Sequence, residues 1–352
     1  MPIASAVKIN IDATIKSGYC IGVGGSMAII VKRENLKRID REKKVVEFDK
    51  DARHGKITGS RFLSVLGRDK YNSEFKTACL IARVFYDDSK NKFTIAGEII
   101  EPIMRSYIRE NRDIILRGLL DLKGEDAILV EEPVNAKDCY YDHFRKVPVF
   151  GGMVDGYIVV NGRRAAVLEI KTTGSRSEWF DENGNVIIPE GYRLQASLYA
   201  QLSKLERIVF AAAFLEEADY LNPENFVPTK DNTLFTAIEK KDITEEMRIA
   251  EEWYNKYIKG GITPEWSEMD EAIVDVLTSD RISEMPGDAQ MLFRKYAKYY
   301  DSDEDLTDLE YTIMDLMSSA ASDGADKVLY EQNGLRFTLI LEGVPKLEVT
   351  RI

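Results

Sequence analysis

The chain has 352 residues, of which 44% are hydrophobic and 31% charged, a globular composition and not a disordered one. Sixty acidic residues against 48 basic ones leave a net charge of −12, which argues against a generic nucleic-acid coat protein but not against a nucleic-acid enzyme with a local basic track and bound cations. The longest apolar run, IVFAAAFL at 208–215, is far short of the ~20 residues that cross a bilayer, and the opening MPIASAVKINIDATIK lacks the charged start and apolar core of a secretory signal, so neither a membrane protein nor a secreted one is expected.

In chain order, Gly22-Val23-Gly24-Gly25-Ser26 fits neither GxxxxGK[ST] nor GxGxxG and reads as a turn between strands. Residues 32–50 are densely charged and are expected on the surface. Ser60 caps a helix carrying Phe62, Leu63 and Leu66, with Gly67 as its stop. A second helical stretch at 74–85 carries Phe75, Cys79, Ala82 and Phe85. The next helix, 96–109, has Ile99, Ile100, Ile103 and Tyr107 on its apolar face, and Pro102 is tolerated in or near its first turn. Residues 154–160, Asn161-Gly162 and 164–172 read as a β-hairpin. A helix at 192–204 carries Tyr192, Gln195, Leu198, Tyr199 and Leu202 on one stripe, and 208–215 follows as a buried strand. Strand, strand, helix, strand is the pattern of a mixed α/β core. Asp242 and Glu245 predict a capping box for a helix over 242–258 that ends at Gly260-Gly261. Residues 268–325 are acidic and mostly helical, with Leu292, Tyr296, Tyr299, Leu306, Leu309, Ile313 and Leu316 as apolar points. The tail, 328–352, returns to strand, with turns at Asn333-Gly334 and Gly343.

Cys20, Cys79 and Cys139 are widely spaced and form no CxxC pair, which leaves three reduced thiols in a cytoplasmic protein as the plain reading. With His54 and His143 as the sole histidines, chemistry built on several histidine ligands is not expected. Carboxylates offer more. In the segment Val167-Leu168-Glu169-Ile170-Lys171-Thr172, Glu169 and Lys171 share one face of a strand while Leu168 and Ile170 point into the core. Asp155 comes from the partner strand. A two-residue Asn161-Gly162 loop would set Asp155 opposite Leu168, on the wrong face. A three-residue loop, or a bulge, would set it opposite Glu169, with Cβ atoms about 5 Å apart. Two adjacent carboxylates repel unless a hard divalent cation lies between them, and oxygen ligands suit Mg²⁺ or Mn²⁺. Lys171 is suited to orient or help deprotonate a water and to offset phosphate charge. As a lysine at an open site it should add little to stability. The bland alternative is a surface hairpin with an ordinary Glu–Lys pair.

Three other features bear on that choice. Gln195 and Tyr199 share a helix face, and a buried stripe explains Tyr199 but not Gln195. Gly97-Glu98-Ile99-Ile100-Glu101 offers a further carboxylate, unless Glu98 and Glu101 merely complement the helix N-terminus. Arg53 and Ser60 bracket a loop suited to a terminal phosphate, unless Ser60 is simply a cap.

Asp155…Glu169-Ile170-Lys171 followed by Gln195-x-x-x-Tyr199 resembles the PD-(D/E)xK nuclease superfamily, although Val154 stands where the superfamily's name has proline. More narrowly, RHGKITGS at 53–60 and GEIIE at 97–101 are similar to motifs of the YqaJ-like viral recombinases, the group that includes the phage lambda exonuclease. The resemblance implies an α/β (α+β) fold: a restriction-endonuclease-like core with a central mixed sheet flanked by helices, a helical C-terminal appendage and a terminal β-hairpin. It divides the chain into an N-terminal extension (1–50), a nuclease core (51–266) and the appendage with its hairpin (267–352).

The resemblance further implies a Mg²⁺-dependent exonuclease, with Mn²⁺ as a substitute, acting 5′→3′ on linear duplex DNA. Asp155, Glu169 and the Ile170 carbonyl would be metal ligands and Glu101 the upstream acid. Lys171 would position the nucleophile, Gln195 and Tyr199 would support the site, and Arg53 and Ser60 would hold the 5′-phosphate. It also implies double-stranded DNA ends, a single-strand annealing protein and further copies of the chain, as a trimer, for partners, and a phage or prophage origin in a bacterial cytoplasm. Arg53, Lys56, Arg61, Lys171 and Arg193 are expected to form the basic track. A structure-selective or restriction-type endonuclease and a non-catalytic DNA-binding protein remain the alternatives.

Overall fold

The computed structural model describes residues 29–31, 34–87, 91–132, 142–282, 285–302, 304–321, 325–341 and 343–352. The turn expected at 22–26, Cys20 and Cys139 lie outside them, and Cys79 is buried. In chain order the first elements are β1 (Ile29–Val31), β2 (Leu36–Asp40), β3 (Val45–Phe48), α1 (Gly59–Val65), α2 (Glu74–Ala82), β4 (Phe85–Asp87), α3 (Lys92–Glu110) and α4 (Arg112–Leu119). Then come β5 (Ile128–Glu131), β6 (Gly156–Val160), β7 (Arg163–Thr173), α5 (Glu190–Ser203), β8 (Arg207–Phe214), α6 (Glu217–Leu221), β9 (Thr233–Glu239) and α7 (Thr244–Trp253). The last are α8 (Glu271–Leu277), β10 (Ser279–Ile282), α9 (Gly287–Tyr299), α10 (Thr307–Ser319), β11 (Lys327–Gln332), β12 (Leu335–Ile340) and β13 (Lys346–Arg351). They fall into two units, the larger built from the described residues of Lys32–Val84 and Ser89–Trp266.

At the centre of the larger unit is a five-stranded mixed sheet in the order β5-β6-β7-β8-β9. Only β7 and β8 run parallel, and α5 makes the crossover that a parallel pair requires. Helices cover both faces. Ala96, Ile100, Met104 and Ile108, a stripe at every fourth residue of α3, pack against Leu168, Ile170, Val209 and Ala211. On the other face Ala196, Tyr199 and Ala200 of α5 pack with Val167, Phe210, Ala212 and Trp179. Buried on both sides, β8 is apolar almost throughout, as the sequence led us to expect. Neither β5 nor β9, which complete the sheet, was expected.

Several local expectations are corrected. Thr58, not Ser60, occupies the N-cap of α1, and Ser60 lies inside the first turn. The Asn91 side chain accepts from the Thr94 N–H at 2.9 Å, so α3 starts at Lys92 and Pro102 stands in its interior, not near its first turn. A proline there forgoes one helical hydrogen bond at a cost of about 3 kcal/mol, which the packed stripe of α3 offsets. The Asp242–Glu245 box does not form: Asp242 accepts from Thr244, Glu245 pairs with Arg248, and Ile243 takes the cap. The charged segment 32–50 is not wholly superficial. It folds as the β2–β3 hairpin, which turns Lys37 and Arg38 outward while burying Val45, Val46 and Phe48.

The smaller unit contains the described residues of Met1–Val31, Phe85–Asp88 and Ser267–Ile352. It holds the two-stranded β1–β4 ribbon and a four-stranded sheet in the order β10-β11-β12-β13, with β10 parallel to β11. The β11–β12 hairpin turns at Asn333-Gly334. The region 268–325 is therefore more than helical: α9 and α10 pack on the sheet through Phe293, Tyr296, Ile313 and Met317 against Val328, Phe337 and Leu339. Among the described residues no helix is long and apolar enough to cross a membrane.

Candidate active site

The β6–β7 hairpin sets the site's register. Asn161 and Gly162 both have positive φ, 49° and 78°, the pair of left-handed conformations that a two-residue hairpin loop needs. That loop pairs Val160 with Arg163 and Val159 with Arg164. The register then shifts, so that Ile158 faces Ala166 and Gly156 faces Leu168. Ala165 is the extra residue, and this bulge does what a three-residue loop would have done: Asp155, one step beyond Gly156, stands level with Glu169.

Side chains converge there from three elements. On β7, the Lys171 ammonium lies 2.6 Å from Glu169 Oε1. From α5, Gln195 Nε2 donates to the same oxygen at 2.7 Å, which explains a polar residue on an otherwise apolar stripe. Asp155 Oδ2 accepts the Ile170 N–H at 2.7 Å. From α3, Glu101 pairs with Arg105, whose Nε donates to the Asp155 carbonyl at 2.9 Å. Tyr199 lies behind, its hydroxyl accepting the Gly59 N–H at 3.2 Å, and Tyr192 offers its ring to Lys171 at 5.2 Å. Arg105 and the Tyr192 ring were missed. The Glu101–Arg105 spacing of four on one helix was the available signal for the first.

The charges conflict. Glu169 is fully buried, and burial, with added repulsion from Asp155 and Glu101, pushes its pKa up to about 8 despite the pull of Lys171. Burial also raises Asp155, against the opposing pull of Lys171, the Ile170 N–H and Arg105. Glu101 rises through burial and then through the charge of Asp155. Burial draws Lys171 down, but Glu169 and Asp155 outweigh it and hold the ammonium above the ordinary lysine range. The side chain of Lys171 is only 16% exposed, so the open site assumed for it is corrected to a largely buried one.

Among the described residues no three histidine, cysteine, aspartate or glutamate side chains already form a metal cage. The carboxylates are engaged with Arg105, the Ile170 N–H, Lys171 and Gln195. One group is left over: Glu169 Oε2 is buried and has no hydrogen-bond partner. An orphaned carboxylate oxygen beside two more crowded acids fits a hard divalent cation, and the contacts of Asp155 and Glu101 each engage only one oxygen of the carboxylate.

Arg53 and Ser60 are not drawn into this cluster. Both are exposed, and Ser60 Oγ lies 3.0 Å from Thr58 Oγ1. Lys56 does not contribute to a basic track, because Asp142 neutralises it at 2.6 Å. Close packing around Tyr199 depends on glycine. Gly152 has φ +125°, and a Cβ there would lie 2.6 Å from the Tyr199 hydroxyl. Gly152→Ala is expected to destabilise the fold by about 2–4 kcal/mol, read from urea denaturation midpoints. A loss below about 0.5 kcal/mol would mean that Tyr199 is free to move aside.

No family model matches the chain. Among curated proteins it is 31% identical to the uncharacterized protein MG373 of Mycoplasma genitalium, with 61% of this chain and 85% of that one covered. It is 30% identical, at the same coverage, to the MG373 homolog of Mycoplasma pneumoniae. Among solved structures it is similar to the alkaline exonuclease LHK-Exo of Laribacter hongkongensis, with 18% identity, TM-score 0.40 and 59% of this chain and 90% of that one covered. A phage-related exonuclease from Haemophilus somnus gives 13% identity, TM-score 0.39 and coverage of 59% and 95%.

Proposed function

The chain belongs to the family of the Mycoplasma genitalium protein MG373, and we propose that it is a metal-dependent deoxyribonuclease, an exonuclease that hydrolyses phosphodiester bonds 5′→3′ from the ends of linear duplex DNA. The observation that carries this reading is the buried, unsatisfied Oε2 of Glu169, set beside Lys171 on β7 and level with Asp155 just before β6. Buried polar atoms are rarely left unpaired without a functional reason.

In this reading Asp155, Glu169 and the Ile170 carbonyl hold Mg²⁺ or Mn²⁺, with Glu101 as the upstream acid. Such an ion, when bound, polarises the scissile phosphate and acidifies a coordinated water. Lys171, held as an ammonium by its two acidic neighbours, orients the attacking water and neutralises charge building on the phosphate. It is poorly placed to act as a base. Gln195 fixes the Glu169 carboxylate, and Tyr199 holds α5 against the start of α1, just after the loop that carries Arg53. Arg53, exposed on that loop, and Ser60, exposed in the first turn of α1, take the 5′-phosphate. Assembly as a trimer, cooperation with a single-strand annealing protein, a phage or prophage origin and a bacterial cytoplasmic setting belong to the same proposal.

Digestion of end-labelled linear duplex with Mg²⁺ tests it. We expect the 5′ label to be released first as small products, EDTA to stop the reaction, and a closed circular duplex to survive. Cutting of the circle would favour an endonuclease on the same core. No Mg²⁺-dependent degradation of any form would favour a DNA-binding protein.

A further inference from the structure

Arg105 touches both of the acids that reach the cluster from outside β7. Its side chain is only 12% exposed, on α3 one turn beyond Glu101. Nη2 pairs with Glu101 Oε1, and Nε donates to the Asp155 carbonyl at 2.9 Å. Nε and Nη2 lie on the same edge of the planar guanidinium. One rigid group therefore spans an acid on α3 and the backbone of an acid that precedes β6.

Neither contact consumes the acid it holds. The first engages Glu101 Oε1 and the second a main-chain oxygen, while the Ile170 N–H meets Asp155 Oδ2, so the other oxygen of each carboxylate lies outside these contacts. Both acids also need a tie more than Glu169 does. Pro102 forgoes a helical hydrogen bond in the turn that the Glu101–Arg105 pair spans. Asp155 stands just outside the paired register, which begins at Gly156. Elsewhere in the same unit Arg117 is a matched case: it pairs with Asp113 at the same spacing and donates to the Asp126 carbonyl at 3.1 Å, contacts that involve no residue of the cluster.

We propose that Arg105 is a positioning residue for a divalent-cation site, its guanidinium edge holding the Glu101 carboxylate and the Asp155 backbone in the relation in which both acids face one ion. This role rests on reading the cluster as a cation site, but it does not require DNA to be the substrate. Its consequence runs against simple electrostatics. Deleting a positive charge beside a cation site should tighten cation binding. Deleting a positioning group loosens it, and the hydrogen-bond partners of metal ligands are typically worth about 10–100-fold in affinity.

The test is isothermal titration calorimetry of the full chain with MnCl₂, without DNA, on wild type, R105Q, R105K and R117Q. R105Q is expected to weaken Mn²⁺ binding by at least about tenfold. R105K keeps the charge but lacks the two-donor edge, so it should weaken binding by at least about threefold. R117Q deletes the same charge from the matched pair and should stay within about twofold of wild type. Circular dichroism checks that each variant is folded at the titration temperature, and R105K, the milder change, carries the comparison if R105Q does not fold. Mn²⁺ binding that depends on Arg105 in a chain that degrades no DNA would end the nuclease reading and leave the positioning role standing. Unchanged or tighter binding in either R105Q or R105K, an equal loss in R117Q, or no Mn²⁺ binding by the wild type would each overturn it.

Discussion

Lys171→Ala is expected to lower metal-dependent cleavage of linear DNA on the order of 10³-fold or more, because it removes the ammonium that faces Glu169 Oε1 at 2.6 Å. The variant should not be thermodynamically silent. Truncating the lysine leaves the fully buried Glu169 with Gln195 as its remaining partner, a change expected to destabilise the fold by about 1–3 kcal/mol. That loss stays below the ΔG of an ordinary domain, so circular dichroism should report a folded protein with a lowered melting temperature. Lys171→Met separates the effects further: its hydrocarbon restores part of the packing over Tyr192 but none of the charge, so stability should recover in part while activity does not. Activity within tenfold of wild type in either variant would remove the ammonium from the mechanism.

The legible parts of this protein were those in which one short segment carries its own geometry. Strand parity separated Glu169 and Lys171 from Leu168 and Ile170, and the mismatch of Asp155 with a two-residue loop called for either a longer loop or a bulge; the structure has the bulge, at Ala165. Gln195 stood out as a polar residue on a buried stripe, and Glu169 is what it serves. The elements that were missed depend on partners far along the chain. β9, TLFTAIE, is an edge strand with most of its residues only half-buried, so its composition is no guide until β8 is beside it. β5 is four residues long, too short for alternation to be read. The early start of α3 was hidden because Phe93 and Ile95 are exposed and Lys92-Phe93-Thr94-Ile95 suits a strand as well as a helix. Burial was the deeper gap. Sequence brought Lys171 to the right face but gave no sign that β7 carries it below the surface, and that depth is what turns three carboxylates and an ammonium into a conflict.

That conflict has a measurable consequence in Glu169→Gln. The substitution keeps the shape of a side chain that is 0% exposed while removing the charge that Asp155 and Glu101 repel. Without divalent ions, the variant should be more stable than the wild type near pH 8 by about 1–3 kcal/mol, the gain being limited because Lys171 loses its partner at 2.6 Å. The pH dependence has a definite sign. Folding raises the Glu169 pKa from the ordinary 4.5 to about 8, so the folded carboxyl holds a proton that the unfolded chain has released, and wild-type stability falls as pH rises across that window. Glutamine does not titrate, so the gap between the two proteins should close below pH 4.5, open between 4.5 and about 8, and level off above it. Cleavage should fall on the order of 10³-fold, since a neutral amide cannot replace an anionic metal ligand. Saturating Mg²⁺ should then reverse the order of stability, because an ion that binds only the folded wild type raises its melting temperature and leaves the variant where it was. A variant that Mg²⁺ stabilises as much as the wild type would show that the ion does not bind through Glu169. The nuclease reading would then lose the residue on which it most depends.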